Sequence, residues 1–347
     1  MKRFAFAVPG DLATPTGGYA YDRRMIAEIG KLGWQIDVVD LGEGFPWPNE
    51  ATRKGAAARL VEIPAGRTVV VDGLALGVLP HVAARLGNPL VALVHHPLAL
   101  ESGLTAAQAE ALRASERAAL RATRGVIVTS AATARQLTAD YDVPGECITI
   151  APPGSDPVTT ANGSGDGIVR LLSVGAVVPR KGFDVLIAAL ARLADLPWYL
   201  TVAGDRGRDA NAAAQLDKDI VRYKLSERVA VLGAVPSERL DALYAGADAF
   251  VLASRFEGYG MAYAEAIARG LPVIGTNAGA IPDTVPADAG ILVPPDDADA
   301  LAQALRRMIT DAGERLRFAA AARAAAQKLP TWADSAKIFA RALEAIA

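Results

Sequence analysis

Twelve short apolar runs, rich in β-branched residues, alternate with longer helical patterns along the whole chain, and this limits the fold more than any other feature. In the first half the strands read Phe4–Val8, Ile36–Val39, Val69–Val71, Leu90–Val94, Val126–Thr129 and Ile148–Ala151. In the second they read Val169–Val174, Tyr199–Ala203, Val229–Leu232, Ala249–Ala253, Val273–Gly275 and Ile291–Val293. Between them lie helical stretches such as Tyr21–Leu32, Ala106–Ala122, Asp184–Ala194, Asn211–Tyr223 and Ala298–Thr310. Strands that are apolar on both faces, each followed by a helix, belong to parallel sheets covered on both sides. The expected fold class is α/β, with two doubly wound, Rossmann-like domains. A small, polar, glycine-rich stretch over 157–167 divides the two sets of strands. The expected organisation is a first domain over 1–157, a linker over 158–167 and a second domain over 168–330. Ligands of such sheets bind beyond the carboxyl ends of the strands, so the two domains are expected to face a central cleft. A last helix over 331–347 carries Trp332, Ile338, Phe339, Leu343 and Ile346, an apolar set expected to pack back on the first domain.

At 347 residues the chain is long for one core, which agrees with two domains. Its 36 basic and 38 acidic residues leave a net charge of −2, which argues against nucleic acid as a partner. Any phosphate must then be held by a local site. The single cysteine, Cys147, excludes an internal disulfide and a cysteine zinc site. It precedes Ile148-Thr149-Ile150 and is expected to be a buried strand residue. The apolar run after Met1-Lys2-Arg3 is too short for a secretion signal, and no stretch approaches the roughly 20 apolar residues of a spanning helix. The chain reads as cytoplasmic and soluble, which is compatible with a peripheral membrane contact.

The segment after the strand Ala249–Ala253 carries the chemistry. It runs Ser254-Arg255-Phe256-Glu257-Gly258-Tyr259-Gly260-Met261-Ala262-Tyr263-Ala264-Glu265, and a helix is expected from near Gly260 to Gly270. Glycines at 258 and 260 let backbone approach a ligand closely, and the N–H groups of the first helical turn, with the Tyr259-Gly260-Met261 backbone, can then hold a phosphate. Glu265 lies on the same helix face as Met261, about 6–8 Å along the axis from the helix start, where it suits ribose hydroxyls. Glu257, on the loop before the phosphates, is placed to meet a sugar. Taken singly, each acidic residue would more often be solvated surface; the strand, glycines, helix start and two carboxylates together favour a nucleotide site.

Other positions add to this. Lys181, between a strand and a helix in Pro179-Arg180-Lys181-Gly182, offers a cation to a departing diphosphate. Gly17-Gly18, after Pro15-Thr16, is expected to be a flexible pair whose backbone touches the diphosphate. His95-His96 ends the buried strand Leu90–Val94, and the chain has only three histidines. No carboxylate or histidine at ligand spacing accompanies that pair in sequence, and Asp217-x-Asp219 and Asp297-x-Asp299 fall on helical or helix-start segments. No obligatory metal and no cofactor is expected.

The Glu257-to-Glu265 segment, with its acidic residues eight apart, resembles the E-x7-E signature of the retaining GT-B glycosyltransferases of family 4, the glycosyl transferases group 1. Leu271–Asp283, Gly290–Asp296, Gly17-Gly18, Lys181-Gly182 and Leu232-Gly233 resemble the same family, so the likeness runs through nearly the whole chain. It implies a transferase that moves a sugar from a nucleotide-diphosphate sugar to an acceptor hydroxyl, with retention, in bacterial polysaccharide or glycolipid synthesis. The acceptor it implies is a glycan or a lipid-linked glycan. By the resemblance Glu257 contacts the donor sugar, Glu265 the ribose, and the Gly258–Met261 backbone the diphosphate, with Gly233 also on the donor side. His95, with His96 second, contacts donor sugar or acceptor. The family carries an arginine where this chain has Ala176, so Arg180 or Arg206 would supply the second cation. The alternatives are a nucleotide-sugar epimerase of the same fold and a non-catalytic partner subunit, the latter favoured by Ala176. A nicotinamide dehydrogenase is a poor match, since Tyr263 stands where a third glycine is needed and Thr276-Asn277 where an acidic residue is needed.

Overall fold

The computed structural model describes residues 2–14 and 16–346. They form two compact units, one made of residues up to 154 together with those from 330 onward, the other of residues 155–329. Pro15 of the expected glycine loop lies outside the described residues.

The first unit runs β1 (Arg3–Val8), α1 (Gly17–Lys31), β2 (Gln35–Asp40), α2 (Glu50–Val61), β3 (Thr68–Asp72), α3 (Gly73–Leu76), α4 (Pro80–Ala83), β4 (Leu90–Val94), α5 (Ala106–Leu120), β5 (Gly125–Val128), α6 (Ala131–Asp140) and β6 (Ile148–Ile150). The strands lie in the order β2-β1-β3-β4-β5-β6, all parallel. The chain leaves β1 toward β2 and returns to β3 on the other side, so the sheet's order reverses between β1 and β3. Side-chain oxygens at the N-caps start the helices: Thr16 for α1, Asn49 for α2, Ser130 for α6, and a reciprocal Thr105–Gln108 box for α5. β3, β4 and β5 are buried along their whole length, whereas the edge strands β2 and β6 are partly exposed. That edge position corrects the expectation for Cys147, which is exposed on a short 3₁₀ turn before β6.

The second unit runs β7 (Val169–Val174), α7 (Phe183–Ala191), β8 (Trp198–Ala203), α8 (Ala210–Arg222), β9 (Val229–Val231), α9 (Ser237–Ala245), β10 (Ala249–Val251), α10 (Met261–Ala268), β11 (Val273–Thr276), α11 (Ile281–Thr284), β12 (Gly290–Val293), α12 (Ala298–Thr310) and α13 (Ala312–Ala326). Its sheet order is β12-β11-β10-β7-β8-β9, again all parallel, and the order reverses between β7 and β10. The glycine-rich stretch read as a linker is tied along this unit: Ala161 N–H donates to the Arg269 carbonyl, Asn162 N–H to that of Ala245, and Ser164 N–H to the Asp248 carboxylate.

The last helix, α14 (Trp332–Ile346), belongs to the first unit. Its Phe339 stacks on Phe6 and its Trp332 packs against Tyr21. Two glycines make room for it. A Cβ on Gly154 would lie 2.1 Å from the Trp332 nitrogen, and one on Gly125 would lie 2.4 Å from Ile346 Cδ1. Among the described residues no helix is long and apolar enough to cross a membrane.

One buried acid in the first unit makes its stability depend on pH. Glu116 on α5 is 1% exposed, accepts the Leu98 N–H at 2.9 Å through Oε2, and has no partner for Oε1. Burial pushes its carboxyl up to about 8, against weaker opposition from the Leu98 N–H bond. The folded chain therefore holds a proton that the unfolded chain releases near its ordinary value, and stability contributed at low pH is lost as pH rises toward about 8. Glu116→Gln is expected to melt above the wild type at pH 9, with the difference closing as pH falls below the ordinary glutamate range. Parallel melts across pH check this.

Candidate functional site

Neighbouring strands at the reversal point of the second sheet send out the two loops that carry the site. After β7 the chain makes a 3₁₀ turn over Pro179–Lys181 and then a left-handed residue, Gly182, with φ 65°. A Cβ on Gly182 would lie 2.0 Å from the Ala253 carbonyl oxygen, so only glycine lets this turn press against the end of β10. After β10 comes Ser254–Gly260. The two loops meet at Glu257, which is 6% exposed.

Glu257 is surrounded by donors. Lys181 Nζ donates to Oε1 at 2.6 Å, Arg180 donates to Oε2 at 3.2 Å, and the Ser254 hydroxyl donates to Oε1 at 2.6 Å. Arg180 also donates to the Phe256 carbonyl at 2.9 Å. Burial alone would raise the Glu257 carboxyl. The charges of Lys181 and Arg180, with the bonds from Lys181 and Ser254, outweigh burial and bring it down to about 2. The cluster thus holds two cations and one ionised carboxylate, a net positive charge at the carboxyl ends of β7 and β10. Arg180 is the arginine brought to this point. Arg206 instead pairs with Asp217 on α8.

The loop after β11 grips Glu257 from the other side. Ala280 N–H donates to the Glu257 carbonyl at 2.9 Å, and Gly279 (φ 57°) approaches so closely that a Cβ there would lie 2.3 Å from that oxygen. Ser254, Gly279 and Ala280 were not singled out in the sequence as parts of the site. Only packing shows that they hold the Glu257 backbone and carboxylate.

α10 starts where expected. Its N-cap is Gly260, left-handed at φ 90°, and no side chain caps the first turn. Tyr263 N–H closes on the Gly260 carbonyl at 2.9 Å, which leaves the earlier N–H groups of the turn and the positive end of the helix dipole for an anion. Gly258 is buried, and the Tyr259 carbonyl accepts from Thr284 at 2.5 Å, which anchors the loop to α11. Glu265, half-buried one turn on, accepts from the Tyr244 hydroxyl at 3.0 Å. Burial raises its carboxyl, while the Tyr244 bond and the Arg269 charge act against this. Arg269 lies over the Tyr244 ring, 4.3 Å from its centre. Tyr244 comes from α9, and nothing in the sequence spacing linked it to Glu265. Gly233 sits just past β9, its carbonyl accepting from Gly204 N–H at 2.8 Å. Met261 is half-buried at the first helical position.

The first unit gathers a different set. Gly17 and Gly18 are not a flexible loop: they open α1, because Thr16 caps the helix by accepting from Tyr19 N–H. Gly18 serves packing, since a Cβ there would lie 3.3 Å from the His95 ring. His95 Nε2 lies 3.2 Å from Asp22 Oδ1 and 3.7 Å from Asp72 Oδ2, and Tyr21 meets the ring edge-on at 5.3 Å. His96 turns toward Glu101, 3.6 Å away. Two carboxyl groups thus accompany His95, contrary to what its sequence neighbourhood implied: one comes from α1 and the other ends β3. This is the grouping of three acidic or histidine side chains that converges within 4.8 Å among the described residues. His95 Nε2 thus stands between two carboxyl groups, and Asp72 Oδ1 accepts from Leu74 N–H at 2.7 Å. The other acidic pairs are structural. Asp297 caps α12, Asp299 pairs with Arg192, and Asp219 accepts from Gln215.

Known proteins share this architecture. Residues 161–325 match the family model of glycosyl transferases group 1, and residues 68–158 match that of Glycosyltransferase Family 4. The MMP alpha-(1->4)-mannosyltransferase of Mycolicibacterium hassiacum is 27% identical over 329 residues, which cover 88% of this chain and 77% of that protein. Other curated relatives are matched over a smaller part of their own length, between 31% and 54%. The sucrose-phosphate synthase of Thermosynechococcus elongatus superposes with a TM-score of 0.84 at 21% identity, covering 99% of each chain. HepE of Anabaena, solved in complex with UDP and glucose, superposes with a TM-score of 0.78 at 19% identity, covering 98% of this chain and 99% of that one. These likenesses show the GT-B fold. With the two family models side by side along most of its length, the chain belongs to the glycosyl transferases group 1 and is a glycosyltransferase.

Proposed function

We propose that the second unit binds a nucleotide-diphosphate sugar at the reversal point of its sheet, and that Lys181 and Arg180 stabilise the diphosphate as it leaves. The observation that carries this is the buried pairing of both cations with Glu257 beside the uncapped start of α10. Glu257 holds the two cations in place, so their donors are aimed before the substrate arrives and need little rearrangement as charge develops. The diphosphate sits on the first turn of α10 and the Gly258–Met261 backbone. The ribose hydroxyls meet Glu265, whose position is set by Tyr244. Gly233 lies on the donor side, beyond β9.

The sugar passes to an acceptor hydroxyl with retention at the anomeric carbon, and the leaving phosphate takes the acceptor proton. The retaining E-x7-E family supports the stereochemistry. His95 of the first unit meets the donor sugar or the acceptor, which is a glycan or lipid-linked glycan of a bacterial polysaccharide or glycolipid. The reaction takes place in the cytoplasm, with a peripheral membrane contact where the acceptor is lipid-linked. The mannosyltransferase and UDP-bound likenesses name the donors to try first.

A thermal-shift panel of UDP, GDP, ADP and their sugars tests the donor assignment: one nucleotide family should raise the melting temperature of the wild type. Glu265→Ala should weaken that nucleotide by about tenfold or more, the scale of a hydrogen bond to a charged group. If no nucleotide of the panel binds, or if Glu265→Ala binds as the wild type does, the donor site is wrongly placed.

A further inference from the structure

The carboxyl groups behind His95 have no part in the donor site of the second unit, yet they are the most deeply buried acidic grouping in the first. Asp22 is 0% exposed and its Oδ2 has no hydrogen-bond partner. Asp72 is 3% exposed, and its Oδ1 is occupied as the N-cap of α3. Between them stands His95 Nε2, 3.2 Å from one carboxyl and 3.7 Å from the other.

We propose that Asp22 and Asp72 share one proton and hold His95 as an imidazolium, making the two acids positioning residues for a ring that gives a charged hydrogen bond to a substrate oxygen. The inference rests on the reading above that His95 meets the substrate. Three steps support it. The ionised carboxyl of the pair is best met by a ring N–H, since a ring lone pair there would oppose its lone pairs. Two carboxylates this close and this buried resist ionising together, so one keeps a proton. The single negative charge left on the pair is then balanced only if the ring is also charged, which leaves the buried cluster neutral overall. A charged ring has N–H groups at both nitrogens, so Nδ1 becomes a donor.

The surroundings suit this state. Tyr21 and Asp22 face the ring from α1, Asp72 faces it from the end of β3, and Thr129 donates to the His95 carbonyl at 3.3 Å. Tyr21 is committed to the Ala151 carbonyl at 2.8 Å, and burial keeps its hydroxyl protonated. Burial pulls the His95 ring down, but the charge and hydrogen bond of Asp22 and the charge of Asp72 outweigh it and raise the ring above its ordinary value. Burial, and the charge of Asp22 beside it, push Asp72 up to about 7.

Only three histidines exist, His81, His95 and His96, so ring NMR of the histidine-labelled full chain resolves them, with His95→Gln assigning the signal. The expected result is that His95 stays charged to a higher pH than a free histidine. Asp22→Asn should lower its midpoint by ~1 unit or more, the scale of one removed neighbouring charge. Asp72→Asn, which keeps the cap on Leu74, should lower it less. The alkaline limb of kcat/KM should follow the same midpoints. A wild-type His95 that titrates at or below the ordinary value overturns the proposal. So does a midpoint unmoved in both variants, or ring signals that change with EDTA or added zinc, which would mark a bound cation. The expected titration without a matching limb in kcat/KM would leave the shared proton standing and overturn the role of His95 at the substrate.

Discussion

Lys181→Ala is expected to lower kcat by ~10²–10³-fold, the cost of removing one aimed donor from developing negative charge. The side chain is well placed for so large an effect. Its ammonium lies 2.6 Å from Glu257 Oε1, and it leaves the backbone just before Gly182, whose φ of 65° sets the direction of the turn. Arg180 and the start of α10 remain in the variant, so donor binding should weaken less than turnover does. Glu257 would also lose the cation that acts on it most strongly and be drawn down less from the ordinary carboxylate range. In the wild type, stability tied to that ionised group is present above the ordinary value and is lost as pH falls toward about 2. The variant should therefore lose stability at a higher pH on acidification. Steady-state transfer at saturating donor, with acid unfolding of the same samples, tests both effects. A kcat equal to the wild type's would remove Lys181 from the chemistry.

The second large effect is expected at a residue without a functional group. Gly279→Ala puts a methyl 2.3 Å from the Glu257 carbonyl oxygen and 3.0 Å from its nitrogen, at a backbone φ of 57°. The left-handed conformation alone costs a non-glycine residue about 1–3 kcal/mol. The clash is with backbone, which no side-chain rotation relieves. The Glu257 loop must move away, stretching the Ala280–Glu257 bond and shifting the carboxylate from Lys181 and Arg180. A fall in melting temperature of roughly 5 °C or more is expected, together with a loss of turnover close to that of Lys181→Ala. Turnover at a temperature where the variant is still folded separates the two. A variant that melts lower but turns over normally would show that the loop tolerates the shift.

Legibility differed from residue to residue for a physical reason. Glu257, Gly260 and Glu265 could be read because a loop, a helix start and a carboxylate lie within one short segment, where spacing along the chain translates into position. Lys181 could be suspected, but its partner lies 76 residues away. The choice between Arg180 and Arg206 as the cation near Glu257 depends on which of two loops reaches β10, and Arg206 is drawn off by Asp217. Gly17-Gly18 was misread as a flexible loop because a glycine pair usually marks one. The Thr16 cap and the nearness of His95 turn the same two residues into a tight helix start. Cys147 was misread because an apolar strand does not announce that it lies at a sheet edge.

The alternation of apolar runs and helical patterns determined, by itself, two parallel α/β sheets, since strands apolar on both faces have to be covered on both. It placed as well the glycine-rich start of α10, because that feature is local. What only the tertiary structure decided is which distant groups meet. The sheet orders bring the ends of β7 and β10 side by side, so that two cations converge on Glu257. They also set Asp22 and Asp72 around His95, across sequence separations that no spacing rule spans. Charges act through space, and the chain order of these residues carries almost no record of the distances that decide their protonation.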